Sequence, residues 1–174
     1  MPATALDKLT LVLGGVASGK SAFAEKLVFG TGAPRRYIAT AQGFDDEMRA
    51  KIAAHQAQRG PDWTTVEAPL DIAPALSTAK LGEVVLLDCA TVWLGNLLHH
   101  NRATAPAFDT FIQALADCPA QVIVVSNEVG LGGIPATAPA RQFANLQGQL
   151  NQRLAAAADR VFFVTAGLPQ ALKP

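Results

Sequence analysis

The chain predicts an α/β domain, a mainly parallel sheet flanked by helices. Two observations carry that expectation. Short apolar runs alternate with segments of helical spacing along all 174 residues. A glycine-rich turn also stands directly between the first apolar run and the first helical segment.

Leu9 to Leu13, LTLVL, is branched and apolar enough for a strand buried on both faces. The turn GGVASGKS follows, and AFAEKLVF continues as a helix that GTGAP ends, because glycine and proline stop helical hydrogen bonding. RYIAT, Arg36 to Thr40, is the next strand. FDDEMRAKIAAHQAQRG is the next helix, with acids in the first turn, where the helix dipole favours them, and Arg59-Gly60-Pro61 at its end. WTTVEA and EVVLLDC (Glu83 to Cys89) are strands, each followed by a helical pattern, and a break at Asn101 to Pro106 separates two helices. QVIVVSN is a further strand, and LGGIPATAP, Leu131 to Pro139, is a surface loop able to act as a lid. RQFANLQGQLNQRLAAAADR is a long amphipathic helix and VFFVTAG the last strand. No repeat or linker divides the chain, so residues 1–174 read as a single domain.

Composition excludes several functions. Fourteen Lys+Arg balance fourteen Asp+Glu, which argues against general binding of nucleic acid or anionic membranes. No segment reaches the roughly 18 apolar residues of a membrane span, and MPATALDK lacks the apolar run of a signal peptide. A cytoplasmic location is expected. Cys89 and Cys118 are too few for a disulfide framework and are expected to be reduced and buried.

Gly14-Gly15-Val16-Ala17-Ser18-Gly19-Lys20-Ser21 fits G-x-x-x-x-G-K-[ST], with a strand running in and a helix leaving. Its backbone N–H groups and helix N-terminus would hold phosphate, Lys20 would reach the outer phosphates, and the Ser21 hydroxyl would ligate Mg²⁺. This is the signature of a P-loop NTPase. Asp88, at the end of VVLLD, suits an acid supporting Mg²⁺ through water, the alternative being a helix cap before Ala90-Thr91. Asn127-Glu128 sits at a similar strand end, where polar groups orient a substrate or water, or cap a turn. His55 has Lys51 and Arg59 four residues to either side, a basic stripe on one helix face. From spacing alone it is either a helix-face residue or a nucleophile. His99 and His100 read as helix-end residues favouring the dipole.

Together these residues resemble the bifunctional adenosylcobinamide kinase / adenosylcobinamide-phosphate guanylyltransferase family of cobalamin biosynthesis. The resemblance covers nearly the whole chain, through GGVASGKS, YIATAQGFDDEMRAKIAAHQAQRG, WTTVE, VVLLDC, VVSNEVGLGGIP and RQFANLQGQLNQRLAAAAD. It implies phosphorylation of adenosylcobinamide by ATP or GTP, then transfer of GMP from GTP onto the new phosphate with loss of pyrophosphate. It places the guanylylated histidine at His55 and nucleotide contacts at Gly14 to Ser21, Ala39, Thr40, Ala41, Gln56, Ala57, Gln58, Arg59, Glu67 and Asp88. It further implies a RecA-like sheet and a homotrimer. The chain departs from the family pattern at Val16-Ala17, Asn145 and Gln56-Ala57-Gln58.

A helix packed back along the sheet would carry His55 about 15 Å from the strand ends where nucleotides bind. Three resolutions are open: the helix projects outward, GTP binds differently for the second step, or a neighbouring subunit completes the site. A kinase with a structural His55, and a nucleotide-gated binding module, are the competing readings.

Overall fold

The computed structural model describes residues 6–174, without the side chains of Lys51, His55 and Gln58. The expectation concerning a leader at the first five residues lies outside the described residues. β1 (Leu9–Gly14) is buried along its whole length, as its apolar run requires, because it lies inside the sheet with β5 (Gln121–Asn127) on one side and β6 (Arg160–Thr165) on the other. Strands β2 (Arg35–Ala39), β3 (Trp63–Glu67) and β4 (Val84–Asp88) complete the parallel part. The seven-stranded order is β3-β2-β4-β5-β1-β6-β7.

β7 (Leu168–Lys173) is antiparallel to β6 and escaped the sequence reading. Its six residues are all exposed, so no apolar run marks it. Pro169 fits there because β7 is the sheet edge. The connection turns on Ala166 and Gly167, both at positive φ (52° and 78°), as a tight hairpin requires. Lys173 Nζ donates to the carbonyls of Ala155 (3.4 Å), Ala156 (3.5 Å) and Ala158, covering the C-terminus of α6 (Ala138–Ala157).

The helices divide unevenly over the two sheet faces. α3 (Ile72–Ser77), α4 (Ala90–His99), α5 (Thr104–Asp117) and α6 pack on one face through Leu76, Trp93, Phe111 and Leu150. α1 (Lys20–Thr31) covers the other through Ala24 and Val28. α2 (Asp46–Arg59) belongs to neither layer: its described side chains are exposed except Ile52 and Arg59, which are half-buried. Its start follows the sequence reading, with Asp45 capping the Met48 N–H at 2.7 Å and Asp46 and Glu47 in the first turn.

Two boundaries differ from expectation, both at proline. α6 begins at Ala138 inside the expected loop, since Thr137 caps the Ala140 N–H and Pro139 occupies the first turn, where no intrahelical N–H is needed. Pro106 likewise lies in the first turn of α5 rather than in the break.

Arg36 and Glu83 tie the amino ends of β2 and β4 together. Arg36 Nε donates to Glu83 Oε2 at 3.0 Å, with side chains only 9% and 15% exposed. Burial pushes the Glu83 carboxyl up, but hydrogen bonds from Arg36 and the Lys80 N–H outweigh it and hold the carboxyl below its usual range. Its stabilising contribution is therefore full above the ordinary value of 4.5 and is lost as pH falls through the lower folded value. Glu83→Gln should cost about 1–3 kcal/mol at neutral pH. Urea midpoints of variant and wild type should converge below pH 4.5; a gap that stays constant with pH would show that charge plays no part.

Candidate active site

The phosphate loop is built from close approaches that larger residues would block. A Cβ at Gly14 would collide with Ser18 Oγ and the Val164 carbonyl. Gly19 takes φ 92° at the start of α1, with the Gly167 backbone 3.0 Å from where its Cβ would lie. The Gly167 N–H donates to the Ser18 carbonyl at 2.7 Å, so the β6–β7 hairpin braces the loop from behind. Neither role of Gly167 was read from the sequence; the Ala-Gly pair before the last exposed run was the available signal.

Lys20 opens α1 and donates from Nζ to the Gly15 carbonyl at 3.1 Å. Ser21, Ala39, Ala41, Arg59 and Asp88 line one cavity of about 240 Å³, together with Met48 and Ile52. A second cavity, about 580 Å³, holds Gln56 and Glu67 and shares Ala41 and Ile52 with the first. α2 thus runs between two adjoining cavities that between them hold Ser21, Ala39, Ala41, Gln56, Arg59, Glu67 and Asp88 of the expected nucleotide contacts. Val16 and Ala57 are exposed. Thr40 is turned inward: its Oγ1 donates to the Cys89 carbonyl and accepts from the Cys89 N–H, both at 2.9 Å, tying β2 to the start of α4. The side chains of His55 and Gln58 lie outside the described residues.

The electrostatics of the first cavity centre on Asp88 and Arg59. The Arg59 guanidinium stacks over the Tyr37 ring at 3.4 Å, which holds this cation at the cavity wall while its Nε is buried without a partner. Burial, with the Asp88 charge adding to it, raises the Tyr37 phenol and pushes the Cys89 thiol up to about 11. Both are neutral at physiological pH. The N-cap of α4 is Cys89, whose Sγ accepts from the Val92 N–H at 3.4 Å. Cys118 is also a buried free thiol.

Three of the cavity-lining residues on α2, Met48, Ile52 and Arg59, follow the spacing i, i+4, i+11 of a single helix stripe. The helix neither packs against the sheet nor carries this stripe away from the strand ends. His99 and His100 end α4 and are exposed; His99 stacks near Phe44 (5.0 Å) and His100 Nε2 is 3.3 Å from Gln42 Oε1, at the approach to α2.

Among the described residues no group of three or more His, Cys, Asp or Glu could hold a metal by itself, and no helix is long and apolar enough to cross a membrane. One hydroxyl (Ser21) and one carboxylate (Asp88) on a shared cavity fit Mg²⁺, which takes most of its ligands from water and phosphate.

A phosphate loop between β1 and α1, an acid ending β4, and this strand order define a P-loop NTPase with a mainly parallel, RecA-like sheet. Solved structures share the fold: the flagellar accessory protein FlaH from Methanocaldococcus jannaschii has a TM-score of 0.52 at 12% identity over 95% of this chain and 78% of its own. A solved ATPase domain gives a TM-score of 0.51 at 13% identity over 90% of this chain and 68% of its own. Residues 10–172 match the family described as cobinamide kinase / cobinamide phosphate guanyltransferase. The bifunctional adenosylcobalamin biosynthesis protein CobP of Pseudomonas aeruginosa is 42% identical, over 94% of this chain and 96% of the relative. The corresponding CobU of Salmonella typhimurium is 39% identical over 95% and 99%. The chain belongs to the cobinamide kinase / cobinamide phosphate guanyltransferase family.

Proposed function

We propose that this single catalytic domain phosphorylates adenosylcobinamide with ATP or GTP. It then transfers GMP from GTP to adenosylcobinamide phosphate through a guanylyl group on His55. The products are adenosylcobinamide-GDP and pyrophosphate, in cobalamin biosynthesis in the cytoplasm. The observation that carries this reading is the placement of α2, whose Met48, Ile52 and Arg59 line the cavity of Ser21 and Asp88. A triphosphate on the phosphate loop would therefore meet both the kinase groups and the helix that bears His55. Phosphoryl transfer attacks the γ-phosphorus, whereas GMP transfer attacks the α-phosphorus. A protein nucleophile divides the second reaction into two displacements.

Lys20 and Arg59 supply positive charge to the phosphates, and Ser21 and Asp88 would hold Mg²⁺, which when bound draws off developing negative charge. Glu67 and Gln56, which line the adjoining cavity, would contact the nucleotide in the guanylyl step. A homotrimer would give the exposed α2 a neighbour.

Incubation with α-labelled GTP should label the intact protein, and γ-labelled ATP should label adenosylcobinamide instead. Phosphorylated corrinoid without labelled protein would favour a plain kinase with a structural His55. Asp88→Asn should lower both rates about 10²-fold and flatten their response to Mg²⁺. Unchanged magnesium titrations would remove Asp88 from the metal site.

A further inference from the structure

Asn127 ends β5 with its backbone fixed on both sides and its carboxamide oxygen unsatisfied. Its N–H donates to Thr91 Oγ1 at 2.8 Å and its carbonyl accepts from Asn151 Nδ2 at 3.0 Å, where β4 has already ended. The next N–H, of Glu128, donates to the Gly14 carbonyl at 3.0 Å, continuing the ladder to the first residue of the phosphate loop. Behind this lies a buried network: Ser126 Oγ donates to Asn151 Oδ1 at 2.6 Å, and Gln147 Nε2 donates to both, at 2.9 Å each. So much polar support for one strand end is costly to bury, yet Asn127 Oδ1 is itself buried without a partner.

Sheet register gives the direction of that side chain. Asn127 is opposite Gly14, whose absent Cβ would point at Ser18 Oγ inside the loop, so both residues face the α1 side. Asp88 is opposite Val125, two residues earlier on β5, and therefore shares that face. Because β5 lies between β4 and β1, Asn127 stands between Asp88 and the phosphate loop.

We infer that Asn127 positions the transferring group in the kinase step: with its Oδ1 buried, its Nδ2 donates to an oxygen of the γ-phosphoryl group. This inference rests on the phosphate loop's holding the triphosphate for the kinase reaction. In the step, the corrinoid hydroxyl oxygen bonds to the γ-phosphorus as the bond to the β-phosphate oxygen breaks. The nucleoside diphosphate leaves, and the hydroxyl proton passes to a phosphoryl oxygen and then to solvent. Asn127 takes no proton, since a carboxamide is not a base at neutral pH; it holds the γ-phosphoryl group in line for attack. GMP transfer, at the α-phosphorus, does not use it.

Asn127→Ala and the uncharged, shorter Asn127→Ser decide the matter. Expected for both are a fall in kinase kcat of about 10²-fold, nucleotide Kd within about threefold of wild type, and undiminished protein labelling by α-labelled GTP. Should Asn127→Ala fail to fold, Asn127→Ser alone gives the answer. Kinase turnover within about threefold of wild type would overturn the inference. So would a parallel loss of nucleotide binding and labelling, which would make Asn127 a structural residue. Lys20→Ala with full nucleotide affinity and kinase rate would instead refute the underlying nucleotide-site reading, whatever Asn127 does.

Discussion

Lys20→Ala is expected to lower phosphoryl transfer and guanylyl transfer together, each by about 10²–10³-fold. The residue opens α1, where the loop's N–H groups and the helix dipole already favour an anion, and its ammonium rests on a neutral partner, the Gly15 carbonyl, at 3.1 Å. Exchanging that carbonyl for a triphosphate oxygen turns a neutral hydrogen bond into a charge-assisted one. The fold should survive, because Lys20 is half-buried and its described hydrogen bond stays within the loop. Steady-state rates of both reactions, with a thermal melt alongside, check the expectation. A variant that keeps either reaction at the wild-type rate would show that the two activities do not share this phosphate site.

The parallel sheet was legible because buried strands write themselves as apolar runs: QVIVVSN coincides with β5, and LTLVL falls one residue short of β1. The phosphate loop was legible because its glycines are demanded by backbone geometry. β7 was not, since an exposed edge strand stabilised by a hairpin and by Lys173 on the end of α6 needs no apolar pattern. The tertiary duties of Thr40 and Gly167 were equally hidden, because each depends on which distant backbone group faces it. The relation of α2 to the nucleotide cavity is the most instructive case. Helical spacing gave the basic stripe of Lys51, His55 and Arg59, but only the position of the whole helix shows that Met48, Ile52 and Arg59 turn toward Ser21 and Asp88. Packing against the sheet would have buried this stripe, and the polar, mostly exposed character of α2 is what leaves it available.

The companion expectation concerns that stripe. His55→Ala should abolish the protein adduct formed from GTP and lower guanylyl transfer by at least about 10³-fold. Kinase turnover should stay within a few-fold of wild type, because γ-phosphoryl transfer needs no protein nucleophile. In the wild-type chain, GTP and Mg²⁺ should add one GMP per protein, read as a mass increase. A nitrogen–phosphorus bond predicts release in acid and resistance to alkali. Only neutral imidazole carries the attacking lone pair, so adduct formation should fall on acidification. Arg59, held over the Tyr37 ring at the cavity wall, would draw the phosphates toward α2, and its charge would oppose protonation of an imidazole brought near it. Peptide mapping of the labelled protein separates the candidates. His99 and His100 lie at the end of α4 beside Phe44 and Gln42, and neither lines the cavity of Ser21 and Asp88. Label recovered on either of them, or persisting in His55→Ala, would move the nucleophile off α2 and break the link between that helix and the second reaction.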